Sequence, residues 1–443
     1  MRLNEKKFYE LAASKGLEAS AITTNRSYSL SCGVFHGEVN SITTSDSFSL
    51  IAKGIYNGKM GSIRVEVVDK NTPEYLVNSI IDTARVVEKD EPAIIFKGSE
   101  KYHKKNLYNP NALSGNLADK INVLLEIERK LKAYDERITE VATVEYQEGA
   151  EESSLSNSYG LKLKQKSANY VYVAEVVATK GDENKTGFKF FVSSDPTAFD
   201  VDKFVKEVAE DALAKLGSVQ CKSKKYPVVL NANTASSLLG AYLASIDAEE
   251  VQKHSSLFEG KLNQPVASKK VTVIENPLQP NLNFRYYDDE GVATYKKTLI
   301  NKGVLETYIY TLETAAKAGV APTGNGYGSG SKASASLCNA VLKAGKKDEN
   351  EMMSKVKLGV YITDLEGLHA GLNAQSGNFS LQAQGFMIRD GKLAEPLSLI
   401  TVAGNLFELF MDVKEVSNTY VQNHPRDINA PSLLVKKLAI TGK

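Results

Sequence analysis

The sequence predicts an α+β, multidomain protein: α/β-type sandwich units at the amino end, then a large, mostly β carboxy-terminal domain. Three observations carry that expectation. The chain has 443 residues, enough for two or three domains at roughly 100–200 residues each. β-rich runs recur along its whole length, and helical periodicity is concentrated in the first half. Apolar residues make up 42% and charged residues 24%, an ordinary globular balance that supports sizeable cores.

Residues 4–16 open the chain as an amphipathic helix with Phe8, Leu11 and Ala12 on one side. Ile22 to Cys32 then alternates as a strand does. Ser47–Tyr56 and Lys59–Val68 are β-rich and joined by Asn57-Gly58, a hairpin signal because a type I′ turn needs positive φ at both central positions. Thr72-Pro73 starts a helix, with Thr72 as N-cap and Pro73 at the first helical position. Leu76, Val77, Ile80, Ile81, Ala84 and Val87 form its buried stripe. Residues 1–100 therefore read as one α+β domain.

A second domain is expected over 101–220. Lys101–Ser114 is polar and Asn-rich, a linker. A helix near 116–134 turns Ile121, Leu124, Leu125, Ile127 and Leu131 inward. Strands follow near 138–147, 161–166, 169–179 and 187–193, with Ser153–Gly160 as a turn, and a helix near 199–216 closes the unit. The third domain, 221–443, begins with the apolar strand Tyr226–Leu230 and a helix near 234–246, and is otherwise β-type.

Lys plus Arg number 54 and Asp plus Glu 53, a net charge of +1. No global field draws the chain to nucleic acid or to anionic lipid. Cys32, Cys221 and Cys338 are too few and too far apart for a disulfide framework or a zinc ribbon, which points to a reducing compartment. The first residues lack an unbroken apolar stretch, and no run reaches the roughly 18 apolar residues of a membrane span. The expected location is cytoplasmic.

None of the five histidines is followed by Glu, so neither HExxH nor HExxxH can be written. Gly324, Gly326, Gly328 and Gly330 alternate, the wrong spacing for a phosphate cradle, with Ser329, Ser331 and Ala333 where GxGxxG needs glycine. A flexible loop is the expectation there. No GxSxG nucleophile elbow is present. Asp288-Asp289-Glu290-Gly291 offers carboxylates for a metal or for acid and base chemistry; a solvated turn tipped by Gly291 is the simpler reading. Lys222, Lys224 and Lys225 read as a solvated domain junction.

The carboxy-terminal half carries an ordered set of phrases. They are Asp288–Val292, Leu299–Leu305, Thr314–Ala316 leading to Pro322-Thr323-Gly324-Asn325-Gly326, Gly367–Asn373 with Ser376–Ser380, Gly385–Gly391 and Thr401–Asn405. Together with Lys53–Gly61 and Asn157–Gly160 upstream, this order resembles the TldD/PmbA family over essentially the whole chain. The resemblance implies a heteromeric metallopeptidase acting on unfolded peptides, in which the TldD-type subunit holds zinc through HExxxH and a late cysteine. Those motif positions fall here on Gly240, Ala241 and Ser245, and no cysteine follows Cys338, although His424 lies near the late-ligand region.

The chain thus resembles the PmbA/TldE-type subunit, with no catalytic residue and no metal of its own. Zinc is expected on a TldD-type partner, and the lone chain is expected to pair with itself. Neither nucleic acid nor membrane is an expected partner. Ser376, Gly377, Asn378, Phe379 and Ser380 are candidates for a substrate-chamber wall, since glycine admits close backbone approach and Ser and Asn offer donors. A turn between two strands is the competing reading of that segment. Asp289, Glu290, Gly291, Thr323, Gly324 and Asn325 are the other family-motif residues. Two further functions stand beside this one: a regulatory protein-binding module of the kind labelled modulator of DNA gyrase, and an independent metal-dependent hydrolase using Asp288, Asp289 or Glu290.

Overall fold

The computed structural model describes residues 3–88, 91–328, 332–420 and 427–442. Its amino-terminal half runs α1 (Glu5–Ser14), β1 (Ala19–Phe35), β2 (Glu38–Tyr56), β3 (Lys59–Val65), α2 (Thr72–Arg85), α3 (Leu117–Tyr134), β4 (Ile138–Asn157), β5 (Lys162–Lys180), β6 (Glu183–Ser193) and α4 (Val201–Leu213). The strands form one antiparallel six-stranded sheet in the order β3-β2-β1-β4-β5-β6. Residues before and after 100 contribute three strands each, joined by β1 pairing with β4 from Ala21↔Asn157 to Val34↔Val144.

The helices pack on this sheet because their apolar stripes match it. On α2, Leu76, Val77 and Ile80 are fully buried, and on α3 so are Leu124, Ile127 and Leu131. Each such side chain contributes about 1.5–3 kcal/mol of burial. The backbones come close where glycine leaves room: a Cβ on Gly61 would lie 2.0 Å from the Ile80 carbonyl oxygen, and one on Gly187 2.4 Å from that of Val208.

Asn57 and Gly58 hold the β2–β3 turn at φ 49° and 72°, as the hairpin signal predicts. Several boundaries differ from the sequence reading. The first strand runs on to Phe35 and turns at His36-Gly37 (φ 54° and 80°), so residues 38–46 are also strand. β4 continues to Asn157, and the expected strands 161–166 and 169–179 are one strand, because the ladder with β4 is unbroken there. Thr72 is not the cap of α2: Asn71 holds that position, and the Asp69 carboxylate accepts the Asn71 and Thr72 N–H groups at 2.9 and 2.8 Å. Val87 follows the helix instead of lying on it.

The carboxy-terminal half continues with β7 (Lys224–Leu230), α5 (Ala232–Leu243), α6 (Ala248–Gln252), β8 (Val273–Glu275), β9 (Lys297–Asn301), β10 (Val304–Leu305), α7 (Leu312–Ala318), β11 (Gly326–Tyr327), β12 (Ser334–Ala335), β13 (Ala340–Leu342) and α8 (Glu349–Met353). Then come β14 (Leu358–Glu366), α9 (Leu368–Gly371), β15 (Asn378–Arg389), β16 (Lys392–Asn405), α10 (Leu406–Met411), β17 (Val413–Val416), β18 (Ile428–Asn429) and β19 (Leu433–Thr441). One sheet is ordered β10-β9-β8-β13-β18 and a second β16-β15-β14-β7-β19-β17. A single apolar core joins them, and α5 lies within it. Tyr242 is its centre, stacked on Phe410 at 4.5 Å and edge-on to Phe258 at 4.8 Å. Cys32, Cys221 and Cys338 are all free thiols.

Candidate functional site

Helix α5 is where the family resemblance places metal ligands. Asn231 caps it, its side chain accepting the Thr234 N–H at 2.8 Å. Gly240 and Ala241 sit on the helix, half-buried, and Ser245 is buried in the 3₁₀ turn Ala244–Ile246 that follows it. Zinc needs imidazole, thiolate or carboxylate donors. A hydrogen, a methyl and a hydroxyl do not fit it. A Cβ on Gly240 would instead meet Ile428 Cδ1 at 3.7 Å. Among the described residues no three His, Cys, Asp or Glu side chains converge on a metal-sized site; His424 lies outside the described residues. Cys338 is buried, donates to the Asn283 carbonyl at 3.1 Å, and has its thiol pushed up to about 12 by burial.

The Ser376–Ser380 segment joins α9 to β15. Gly377 has φ 73°, its N–H donates to the Asn373 carbonyl and its carbonyl accepts the Leu406 N–H, both at 2.8 Å. Asn405 clasps the turn, donating to the Ser376 carbonyl at 2.7 Å and to Asn378 Oδ1 at 2.9 Å. Phe379 enters the core while Ser376, Asn378 and Ser380 face outward. The segment is linked to the end of α5 through two contacts. Ser256 Oγ donates to the Ser245 carbonyl, and the next side chain, Leu257, reaches within 3.1 Å of where a Gly377 Cβ would stand.

The Asp288–Gly291 turn is not solvated. Asp288 is fully buried; its Oδ1 accepts the Glu290 and Val292 N–H groups at 3.1 and 2.9 Å, and its Oδ2 the Gly326 N–H at 2.9 Å. Burial, with Glu290 beside it, holds this carboxyl well above the usual carboxylate range, against the pull of those three donors. Glu290 accepts the Leu312 N–H at 2.8 Å, and burial raises its pKa too, opposed by that N–H and by Lys53. Burial lowers the pKa of Lys53, on β2, against the opposing influence of Glu290 and Asp289. Asp289 takes Arg285 Nη1 at 3.0 Å and the Gly328 N–H at 2.9 Å.

These carboxylates are committed to structural partners, and the hydrogen bonds they accept come from within the carboxy-terminal half. Gly291 does tip the turn, at φ 88°, and its carbonyl accepts the Tyr102 hydroxyl at 2.6 Å. The alternating glycines are likewise more ordered than a flexible loop over 324–328. Gly324 holds φ 70°, and Gly326 pairs with Ala335. Ser329, Gly330 and Ser331 lie outside the described residues.

Below the turn is a second buried network. Glu275, fully buried, accepts Lys297 Nζ and the Cys338 N–H, both at 2.7 Å, and Asn325 Nδ2 at 2.8 Å. Lys297 also donates to Asn325 Oδ1 at 3.0 Å. Thr323 Oγ1 accepts the Tyr310 N–H at 2.8 Å. The structure thus brings Asp289, Glu290, Gly291, Thr323, Gly324 and Asn325 into one region, and Ser376–Ser380 into another. Sequence reasoning missed Glu275 and Lys297, and named Lys53 only as the start of the Lys53–Gly61 phrase. A signal existed for the first: Val271, Val273 and Glu275 alternate, and the two valines are fully buried.

Two sheet systems with helices on their faces, and an α5 that carries no His, Cys, Asp or Glu, define a multidomain α+β protein. Residues 112–216 match the PmbA/TldA metallopeptidase central domain and residues 223–442 the C-terminal domain of the same family. The chain belongs to the PmbA/TldD metallopeptidase family. It is 26% identical over 293 residues to a metalloprotease PmbA homolog of Buchnera aphidicola subsp. Baizongia pistaciae, an alignment spanning 65% of this chain and 62% of that relative. A Thermotoga maritima structure described as a candidate modulator of a DNA gyrase superposes with TM-score 0.90 at 28% identity, covering 99% of each chain. TldE from Thermococcus kodakarensis has the same fold, with TM-score 0.89 at 22% identity over 99% of this chain and 100% of that one.

Proposed function

We propose that this chain is the zinc-free, PmbA/TldE-type subunit of a cytoplasmic two-subunit metallopeptidase. Its partner is a TldD-type subunit that holds the zinc, and together they act on unfolded peptides. The observation that carries this reading is α5, where Gly240, Ala241 and Ser245 leave no donor at the positions the family uses for ligands and base. What this chain supplies is walls and contacts. Ser376, Asn378 and Ser380 present hydroxyl and amide groups on one exposed face, held by the Asn405 clasp. β3 covers β2 from Leu50 to Tyr56, so among the described residues Glu38–Ser49 is an open sheet edge bearing exposed Val39 and Ile42, with Phe35 exposed on the neighbouring strand β1. Such an edge suits subunit docking.

Reconstitution tests this. The purified chain alone is expected to carry less than about one-tenth equivalent of zinc and to leave disordered casein intact. Mixing with a TldD-type subunit is expected to produce chelator-sensitive cleavage. Tightly bound stoichiometric zinc, or chelator-sensitive cleavage by this chain alone, overturns the assignment.

A further inference from the structure

The six-stranded sheet of the amino-terminal half has two edges, β6 and β3-β2, and the chain treats them differently. The β6 edge is closed by the chain's own side chains. The Phe188 N–H donates to Asp211 Oδ2 at 3.2 Å, the Thr186 carbonyl accepts Lys215 Nζ at 3.0 Å, and Lys185 and Lys189 stand on the strand itself. Caps and lysines of this kind keep an edge from pairing with another chain. At the opposite edge, the part of β2 that β3 leaves uncovered has no such device: from Glu38 to Ser49 there is no Lys, Arg or Pro, and residues 38–47 are exposed.

Which backbone groups this edge offers follows from alternation. Tyr56 and Lys59 close the two-residue Asn57-Gly58 turn, so they exchange hydrogen bonds, and every second residue back along β2 does the same with β3. Residues of the other parity face β1; the Ile55 carbonyl, for example, accepts the Glu18 N–H at 2.9 Å. The β1–β2 ladder is regular from Ala19↔Ile55 to Gly33↔Ser41. Ser41, Thr43, Ser45, Ser47 and Ser49 therefore turn their N–H and carbonyl groups to β1. Ile42, Thr44, Asp46 and Phe48 turn theirs outward, where no strand among the described residues meets them.

The side chains say which strand fits. A second copy of the same strand, antiparallel about a two-fold axis normal to the sheet, sets each residue opposite one of its own parity. With the axis at Ser45, Ile42 pairs with Phe48 and Thr44 with Asp46 through the outward backbone groups, while Thr43 meets Ser47 and Ser41 meets Ser49. Apolar lies against apolar and hydroxyl against hydroxyl, and Asp46, the one charged residue of 41–49, faces no charge. An axis at Ile42 would instead set Glu38 against Asp46 and leave Phe48 outside the pairing.

We infer that, without another subunit present, two copies of this chain join edge to edge through residues 41–49 of β2, merging two six-stranded sheets into one. Such an isologous contact uses up both open edges and closes the assembly at two chains. The inference rests on the edge proposed above for docking and not on the zinc-free assignment, which metal content and reconstitution test separately.

The experiment uses the full chain alone. Sedimentation is expected to show a dimer at micromolar concentration. Amide exchange at Ile42, Thr44, Asp46 and Phe48 is expected to slow as the dimer forms, while Thr43 and Ser45, already bonded to β1, stay unchanged. Ser45→Lys sets two ammonium groups against each other at the axis and is expected to weaken the dimer about fivefold or more at unchanged Tm. Ser45→Glu is expected to weaken it likewise, and an equimolar mixture of the two variants to recover at least the parent's affinity. A monomer throughout the micromolar range, a dimer whose four outward amides exchange as fast as in the monomer, a Lys variant that pairs as the parent does, or one that the Glu variant fails to rescue overturns the proposal. The exchange comparison needs no variant to fold.

Discussion

Replacing Lys297 with Met keeps the aliphatic stem and removes the charge facing Glu275. That carboxylate is fully buried, and Lys297 at 2.7 Å is the nearest cation; Asn325 and the Cys338 N–H remain as donors. Breaking a buried ion pair by deleting one partner costs about 3–5 kcal/mol, because the other charge is left uncompensated. Two surviving hydrogen bonds put Lys297→Met at the lower end, about 3–4 kcal/mol at pH 7.5. For a unit of some 200 residues this lowers Tm by roughly 6–16 °C.

The pH dependence has a definite sign. Burial already raises the folded-state pKa of Glu275 above that of an ordinary glutamate, and Lys297 opposes the rise. A carboxyl with a raised folded pKa contributes stability that is full below its unfolded pKa and is lost as pH climbs through the folded one. Without Lys297 the folded pKa rises further, so the deficit is largest at neutral pH and shrinks toward pH 5. Urea denaturation at both pH values measures it, and Glu275→Gln added to Lys297→Met is expected to recover most of the loss. A deficit under about 1 kcal/mol at pH 7.5, or one equally large at pH 5, refutes the electrostatic account.

Gly377→Arg places a side chain at φ 73° with Leu257 at 3.1 Å; it is expected to cost about 1–3 kcal/mol and to cut heteromer activity at least tenfold at matched subunit association, and full activity would remove the segment from the chamber. Gly326→Ala drives a Cβ to 2.0 Å from Glu290 Oε2, so the carboxylate must leave the Leu312 N–H, at an expected 1–3 kcal/mol in denaturation, roughly the cost of a lost buried hydrogen bond. An unchanged midpoint would show that Glu290 has another place to go. Ile42→Glu, at a side chain 50% exposed, is expected to leave Tm within about 1 °C and weaken association with a TldD-type subunit, read by sedimentation; association as tight as that of the wild type would place the interface elsewhere.

Local chemistry was legible from the residues. The Asn57-Gly58 turn, the stripes of α2 and α3, the helix near 199–216 and the Tyr226–Leu230 strand all follow from neighbours in sequence, because turns and helices are set within a few residues. The ordered phrases from Asp288 to Asn405 likewise carried the family. What only the tertiary structure decided was non-local. Strand pairing is made by backbone groups that every residue shares, so nothing in 19–35 or 138–157 announces that these strands pair and merge six strands into one sheet. The Asp288–Glu290 run reads as a solvated turn because adjacent charges are usually exposed. Burial reverses that: Tyr102, Leu155 and Leu161 close over Gly291 from the other half of the chain, and distant N–H groups from Gly326 and Leu312 satisfy the carboxylates. A charge can be buried only where such donors converge, and convergence of residues far apart in the chain is a property of the fold.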